Sequence, residues 1–106
     1  MSGHRDLSLG EVKHGLADGS ILLVDVREPH EFAGGHIPGA VNLPLSAFDP
    51  AEIAPRQGQT VVFSCRSGVR SLKAVEASLA AGYDYDAHYP GAMLEWAGSG
   101  EDIETG

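Results

Sequence analysis

Thr60-Val61-Val62-Phe63-Ser64-Cys65-Arg66-Ser67-Gly68-Val69-Arg70-Ser71-Leu72 reads as a strand, a tight polar loop and the start of a helix. Thr60 to Ser64 is a β-branched, apolar run bounded by Gln59 on one side and the polar loop on the other, the pattern of a buried strand. Ser71 to Ala81 carries Leu72, Val75 and Leu79 at spacings of three and four and stops at Gly82, which predicts a helix. A second run, Ile21-Leu22-Leu23-Val24-Asp25-Val26, is apolar on both alternating faces and predicts a strand covered on two sides, as in a mainly parallel sheet. Strands alternating with helical patterns indicate α/β architecture with helices on both faces of the sheet. In such folds, sites gather beyond the carboxyl ends of the strands, where Cys65 stands.

The remaining segments fill in around these two strands. Ser8-Leu9-Gly10-Glu11 is a capping box, and Leu9, Val12 and Leu16 at helical spacing predict a helix that ends near Asp18, with Gly19 as its left-handed stop. Pro29 opens a short helix with Glu31 and Phe32 that Gly34-Gly35 breaks, followed by a turn through His36 to Gly39. Ala40 to Leu43 is a short strand stopped by Pro44, and Pro50 and Pro55 allow only single helical turns near Ser46–Phe48 and Ala51–Ala54. Asp86–Tyr89 is a last strand and Ala92–Ala97 a last helix burying Leu94 or Trp96, while Gly98–Gly106 reads as a flexible acidic tail. The expectation is one domain over 1–106, with its core at about 7–97 and its tail at 98–106.

Composition narrows the function. With 106 residues there is room for one core, and the hydrophobic and charged shares, 42% and 21%, are those of a globular chain. A formal charge of −8 repels phosphate backbones and anionic headgroups, so neither nucleic acid nor a membrane surface is an expected partner. The single cysteine excludes an intrachain disulfide and a Cys-rich zinc site and suits a reducing, cytoplasmic setting. No leader or spanning segment is evident, which predicts a soluble, unprocessed chain. His30 and His36 form no recognisable ligand pattern with a third group, so no metal is expected between them.

The chemistry concentrates at Cys65. If the loop curls around the sulfur, the N–H groups from Arg66 to Arg70 point inward and join the positive end of the next helix, a nest for an anion. Those dipoles, with Arg66 and Arg70, favour thiolate and make Cys65 a nucleophile. Gly68 can take positive φ and let the backbone approach a bound anion. Cys65 is therefore the expected catalytic residue, and Arg66, Ser67, Gly68, Val69 and Arg70 the expected substrate-binding set. Asp25 and Arg27, two residues apart on one strand face, are expected to pair or tie down loops, and His36 to stabilise its turn.

Two separated motifs carry a family resemblance. Leu23-Val24-Asp25-Val26-Arg27-Glu28-Pro29-His30-Glu31-Phe32-Ala33-Gly34-Gly35-His36-Ile37-Pro38-Gly39-Ala40-Val41-Asn42-Leu43-Pro44 and Cys65-Arg66-Ser67-Gly68-Val69-Arg70-Ser71 together resemble a rhodanese domain, from about Leu7 to Trp96. Pro90 departs from the family, which commonly has a pair of glycines before its last helix. The resemblance implies a central, mostly parallel five-stranded sheet with flanking helices. It also implies a sulfurtransferase that moves sulfur from thiosulfate, or a related anionic donor, to cyanide or a thiol through a Cys65 persulfide. With no second cysteine in the chain, any resolving thiol is external, a small thiol or a protein thiol, and the resemblance implies no metal or organic cofactor. A persulfide carrier or docking module for a protein partner is the alternative. A phosphatase or arsenate reductase is a more distant one, because the six-residue loop from Cys65 to Arg70 has the length of the sulfur-transferring relatives.

Overall fold

The computed structural model describes residues 3–106. Five strands, β1 (Arg5–Asp6), β2 (Ile21–Asp25), β3 (Val41–Asn42), β4 (Thr60–Ser64) and β5 (Ala87–His88), form one sheet in the order β1-β5-β4-β2-β3. All four pairings are parallel. The helices are α1 (Leu9–Asp18), α2 (Pro29–Gly34), α3 (Val69–Ala80) and α4 (Ala92–Gly98), with single turns at Leu45–Ala47 and Pro50–Glu52. No helix among the described residues is long and apolar enough to cross a membrane.

The two faces of the sheet follow from the period of two along its strands. Leu23 of β2 and Val62 of β4 are register partners and pack with Ala87, Val12 of α1 and Trp96 of α4. Their neighbours Val24 and Phe63, also register partners, point the other way and pack with Val61, Cys65 and Ala74 and Val75 of α3. The sheet is thus covered on both sides, which is why β2 and β4 read as continuous apolar runs instead of alternating ones.

Local signals set most boundaries. Ser8 Oγ accepts the Glu11 N–H at 3.1 Å, Glu11 Oε1 accepts the Ser8 N–H at 2.9 Å, and Gly19 at φ 79° ends α1. The expected strands at Ala40–Leu43 and Asp86–Tyr89 shorten to β3 and β5, two residues each, and the single turns each begin one residue earlier than expected. The helix expected from Ser71 begins at Val69, because Gly68 in the left-handed region turns the chain straight into it. β1 carries no strand signal of its own and exists through its pairing with β5.

The C-terminal segment, expected as a flexible tail, is joined to the rest of the domain by hydrogen bonds. Glu104 pairs with His36 through two backbone hydrogen bonds of 2.8 and 2.9 Å, Gly106 N–H donates to Ala33 O at 2.9 Å, and Trp96 Nε1–H donates to Asp102 O at 2.7 Å. These bonds satisfy a buried indole and the end of α2 together, which a reading of acidity and small side chains does not register.

Candidate functional site

The carboxyl ends of the parallel strands bring Asp6, Asp25, Asn42, Ser64 and His88 to one edge of the sheet, and Cys65 follows directly after β4. Cys65 Sγ lies at the bottom of the loop and the residue is 1% exposed. Gly68, at the N-cap of α3, has no side chain with which to cap the helix, and the sulfur takes that part. It accepts the Gly68 N–H at 3.1 Å and the Ser71 N–H at 3.4 Å, and it lies 3.5 Å from Ser71 Oγ. Free amides that a helix start must satisfy are thereby aimed at the atom that bears charge. Burial pushes the Cys65 thiol up, but the Ser71 hydroxyl and the Ser71, Gly68 and Ser67 amides outweigh it and hold it below the ordinary thiol value.

The loop is held from the opposite side by the turn that opens α4. Met93 N–H donates to Cys65 O and Leu94 N–H to Arg66 O, both at 3.1 Å, so the start of α4 fixes the loop carbonyls while α3 fixes its amides. In this turn the residue in the left-handed region is Ala92, with φ 55°, and not Pro90. The backbone demand that a glycine meets most easily therefore falls two residues beyond the substitution noted in the sequence.

The expected binding residues occupy two settings. Arg66, Ser67 and Val69 are exposed around the loop. Arg70 is committed to a partner: its Nη1 and Nη2 donate to Glu31 Oε1 and Oε2 at 2.7 and 3.0 Å, a two-pronged pair between α3 and α2. The Arg70 hydrogen bonds are the main reason the Glu31 carboxyl is held down to about 2. Its charge is thus neutralised beside the thiolate. Because the folded value lies below that of a free glutamate, about 4.3, the stabilisation is fully present above that pH and is lost as pH falls towards 2. We expect Glu31→Gln to cost about 1 kcal/mol at neutral pH, with the gap to the parent closing on acidification, in urea unfolding at a series of pH values.

Asp25 and Arg27 pair as their spacing implied, with Arg27 Nη2 donating to Asp25 Oδ2 at 2.8 Å and to Gly35 O at 2.8 Å. Asn42 Nδ2 bridges Asp25 O and Arg27 O at 3.0 and 2.9 Å. This buried network fixes the β2–α2 connection, and so the position of Glu31. His36 Nδ1 lies 2.9 Å from Phe32 O and its ring stacks on Phe32 at 3.8 Å, the turn-stabilising place expected of it.

Two residues near the sulfur carried no sequence signal as site residues: Ser71, whose hydroxyl faces Cys65, and His88, whose Nδ1 lies 2.9 Å from Ser71 Oγ. Serine in the first turn of a helix and a histidine ending a two-residue strand are both ordinary. Among the described residues, His4, Asp6 and His88 are the one set of three potential metal-ligating groups, and their donors are spent on each other: both imidazole Nε2 atoms converge on Asp6 Oδ1, at 3.1 and 3.0 Å. A surface depression lies among Arg5, Gly10, His14, Ser20 and Thr60, at the amino ends of β2 and β4, and contains none of the loop.

Comparison with known proteins shows what the chain is similar to. A family model described as the rhodanese-like domain matches residues 8–99. A human protein named thiosulfate:glutathione sulfurtransferase is 34% identical over 110 residues, covering 91% of this chain and 96% of its own. One of the same name from Saccharomyces cerevisiae is 35% identical over 101 residues, covering 83% of this chain and 73% of its own. The solved structure of the human single-domain sulfurtransferase TSTD1 superposes with a TM-score of 0.75 at 34% identity, covering 91% of this chain and 97% of that one.

Proposed function

Since the chain belongs to the rhodanese-like domain family, and with it to the sulfurtransferases, we propose that it transfers sulfur from thiosulfate, or a closely related anionic donor, to a thiol through a persulfide on Cys65. The observation that carries this reading is the sulfur acting as the cap of α3, with two amides on it and a thiol value held below the ordinary one. A thiolate so placed attacks without a strong base beside it.

In the first half-reaction the Cys65 thiolate attacks the outer sulfur of thiosulfate, a sulfur–sulfur bond forms to Cys65, and the bond to the sulfonate sulfur breaks so that sulfite leaves with the electron pair. In the second, an acceptor thiolate attacks the outer sulfur of the persulfide and the Cys65 thiolate returns. Charge balances in both steps and no oxidant is consumed. The persulfide carries its reactive sulfur about 2 Å further out than the thiol, which suits a sulfur at the bottom of a loop. Arg66, with the Arg66 to Arg70 amides, is the group of donors suited to the departing oxyanion, and the N–H donors that Arg70 does not spend on Glu31 are available to join them.

The acceptor is external, because Cys65 is the chain's one cysteine. A small thiol such as glutathione is the first candidate, since relatives sharing most of this chain are named for it. A persulfide carrier serving a protein thiol uses the same two half-reactions and differs only in acceptor. The test is intact-protein mass spectrometry after thiosulfate treatment, followed by glutathione or, separately, cyanide. We expect a gain of one sulfur on Cys65 that either acceptor discharges, with cyanide yielding thiocyanate. Absence of any gain from thiosulfate would remove it as the donor.

A further inference from the structure

A line of polar groups leads from the Cys65 sulfur to the surface, and the sulfur-transfer steps above do not use it. Ser71 Oγ lies 3.5 Å from Cys65 Sγ and 2.9 Å from His88 Nδ1, and His88 Nε2 lies 3.0 Å from Asp6 Oδ1. His88 is 3% exposed, so its ring is held between these two partners and not by water. An ionised Asp6 can only accept, which places the His88 proton on Nε2 and leaves Nδ1 of the neutral ring as a bare acceptor. The Ser71 hydroxyl faces two acceptors, Gly68 O at 3.2 Å and His88 Nδ1 at 2.9 Å; in the relay it donates to the nearer, His88, and its oxygen is free to accept the Cys65 S–H. Every donor in the line points away from the sulfur.

We propose that Asp6, His88 and Ser71 form a proton relay that takes the Cys65 proton, with His88 as a positioning residue acting on the thiolate through Ser71. The proposal rests on the reading of Cys65 as the sulfur nucleophile. The S–H bond breaks and its proton passes to Ser71 Oγ, while the Ser71 proton passes to His88 Nδ1. The products are a thiolate and an imidazolium, with no proton gained or lost overall. In that state His88 Nδ1–H donates to Ser71 Oγ, and the Ser71 O–H is turned onto the sulfur as a donor beside the two amides. The Asp6 carboxylate faces the new cation at Nε2.

The groups that face His88 are few. Asp6 and His4 approach from the side of β1, His4 with its ring edge-on at 5.3 Å, and Ser71 approaches from α3 with Cys65 behind it. Burial, with a smaller push from His4, outweighs Asp6 and holds His88 below the ordinary histidine value, so the ring is neutral and able to accept at neutral pH.

Coupled groups of this kind titrate as a pair. The test follows alkylation of Cys65 by iodoacetamide against pH, a readout that needs no sulfur donor. In the parent protein the relay gives a shoulder below the main thiol ionisation, where the thiolate–imidazolium form holds a constant share. His88→Asn can still donate to Ser71 but cannot take a proton, and we expect a single ionisation and about tenfold slower alkylation on the acid side, the effect of one unit in the thiol ionisation. Asp6 is exposed, so Asp6→Asn leaves the core intact and lowers the shoulder. A parent curve with one ionisation that superposes on both variants overturns the relay, and if His88→Asn does not fold, an unchanged Asp6→Asn profile does so alone. A shoulder in a protein that takes no sulfur from thiosulfate would uphold the relay and sink the donor; sulfur loading without a shoulder would do the reverse.

Discussion

Cys65→Ser abolishes sulfur loading, with turnover falling at least about 10⁴-fold, while the domain stays folded. A serine hydroxyl is nearly isosteric with the thiol and can accept the same Gly68 and Ser71 amides, so the α3 cap survives and stability changes by about 1 kcal/mol or less. What is lost is an atom that ionises near neutral pH and can hold a second sulfur. The check is paired: intact mass after thiosulfate, and thermal unfolding by circular dichroism. Persistent turnover in a folded variant would rule out the persulfide mechanism. Loss of fold would show instead that the sulfur's packing among Val24, Phe63 and Val75 matters more than its hydrogen bonds.

The second large effect belongs to Gly68→Ala. Gly68 has φ 94°, and a Cβ there would stand 2.7 Å from Pro90 O and 3.2 Å from Pro90 Cα, both backbone atoms that cannot rotate away. The left-handed conformation alone costs about 1–2 kcal/mol for a non-glycine residue, and the contact adds to it, so we expect a stability loss of about 2–4 kcal/mol by urea unfolding. Relief of the contact moves the loop away from the turn that opens α4 and draws the Gly68 N–H off the sulfur. The Cys65 thiol rises accordingly and kcat/KM falls about 10- to 100-fold, the worth of one hydrogen bond to a charged atom. Wild-type stability in this variant would mean that the Pro90 turn yields and does not hold the loop rigidly.

The parts legible in the sequence are those whose cause is local. The capping box at Ser8 and Glu11, the stop at Gly19 and the apolar runs of β2 and β4 each announce themselves within a few residues. The Cys65 loop is legible for the same reason, since a short polar turn between a buried strand and a helix has few conformations. α3 starts two residues ahead of where its sequence pattern points because its cap is a sulfur three residues upstream of Gly68, for which no capping rule looks. Arg70 reads as a donor for the anion, and only the meeting of α2 with α3 shows that Glu31 claims part of it. Asp6 and its meeting with His88 are not legible because nothing short-range marks β1 as a strand, and the alignment of β1 with β5 is a property of the finished sheet. The docked C-terminal segment is similar: the partners of Gly106 and Asp102 lie on α2 and α4, and that of Glu104, His36, just beyond α2.

The placement of β1 carries a kinetic consequence. It is a two-residue edge strand joined to β5 across nearly the whole chain, through Arg5 N–H to Asp86 O at 2.8 Å and Leu7 N–H to His88 O at 2.9 Å. Closing so large a loop for so few bonds comes late in folding and reverses early in unfolding, so these amides exchange with solvent through openings that leave β2 and β4 intact. Each opening carries Asp6 away from His88 while the Cys65 loop keeps its shape. The polypeptide thus acquires its thiolate cradle with the core of the sheet, and gains the acid–base partner of that thiolate only when its two ends meet.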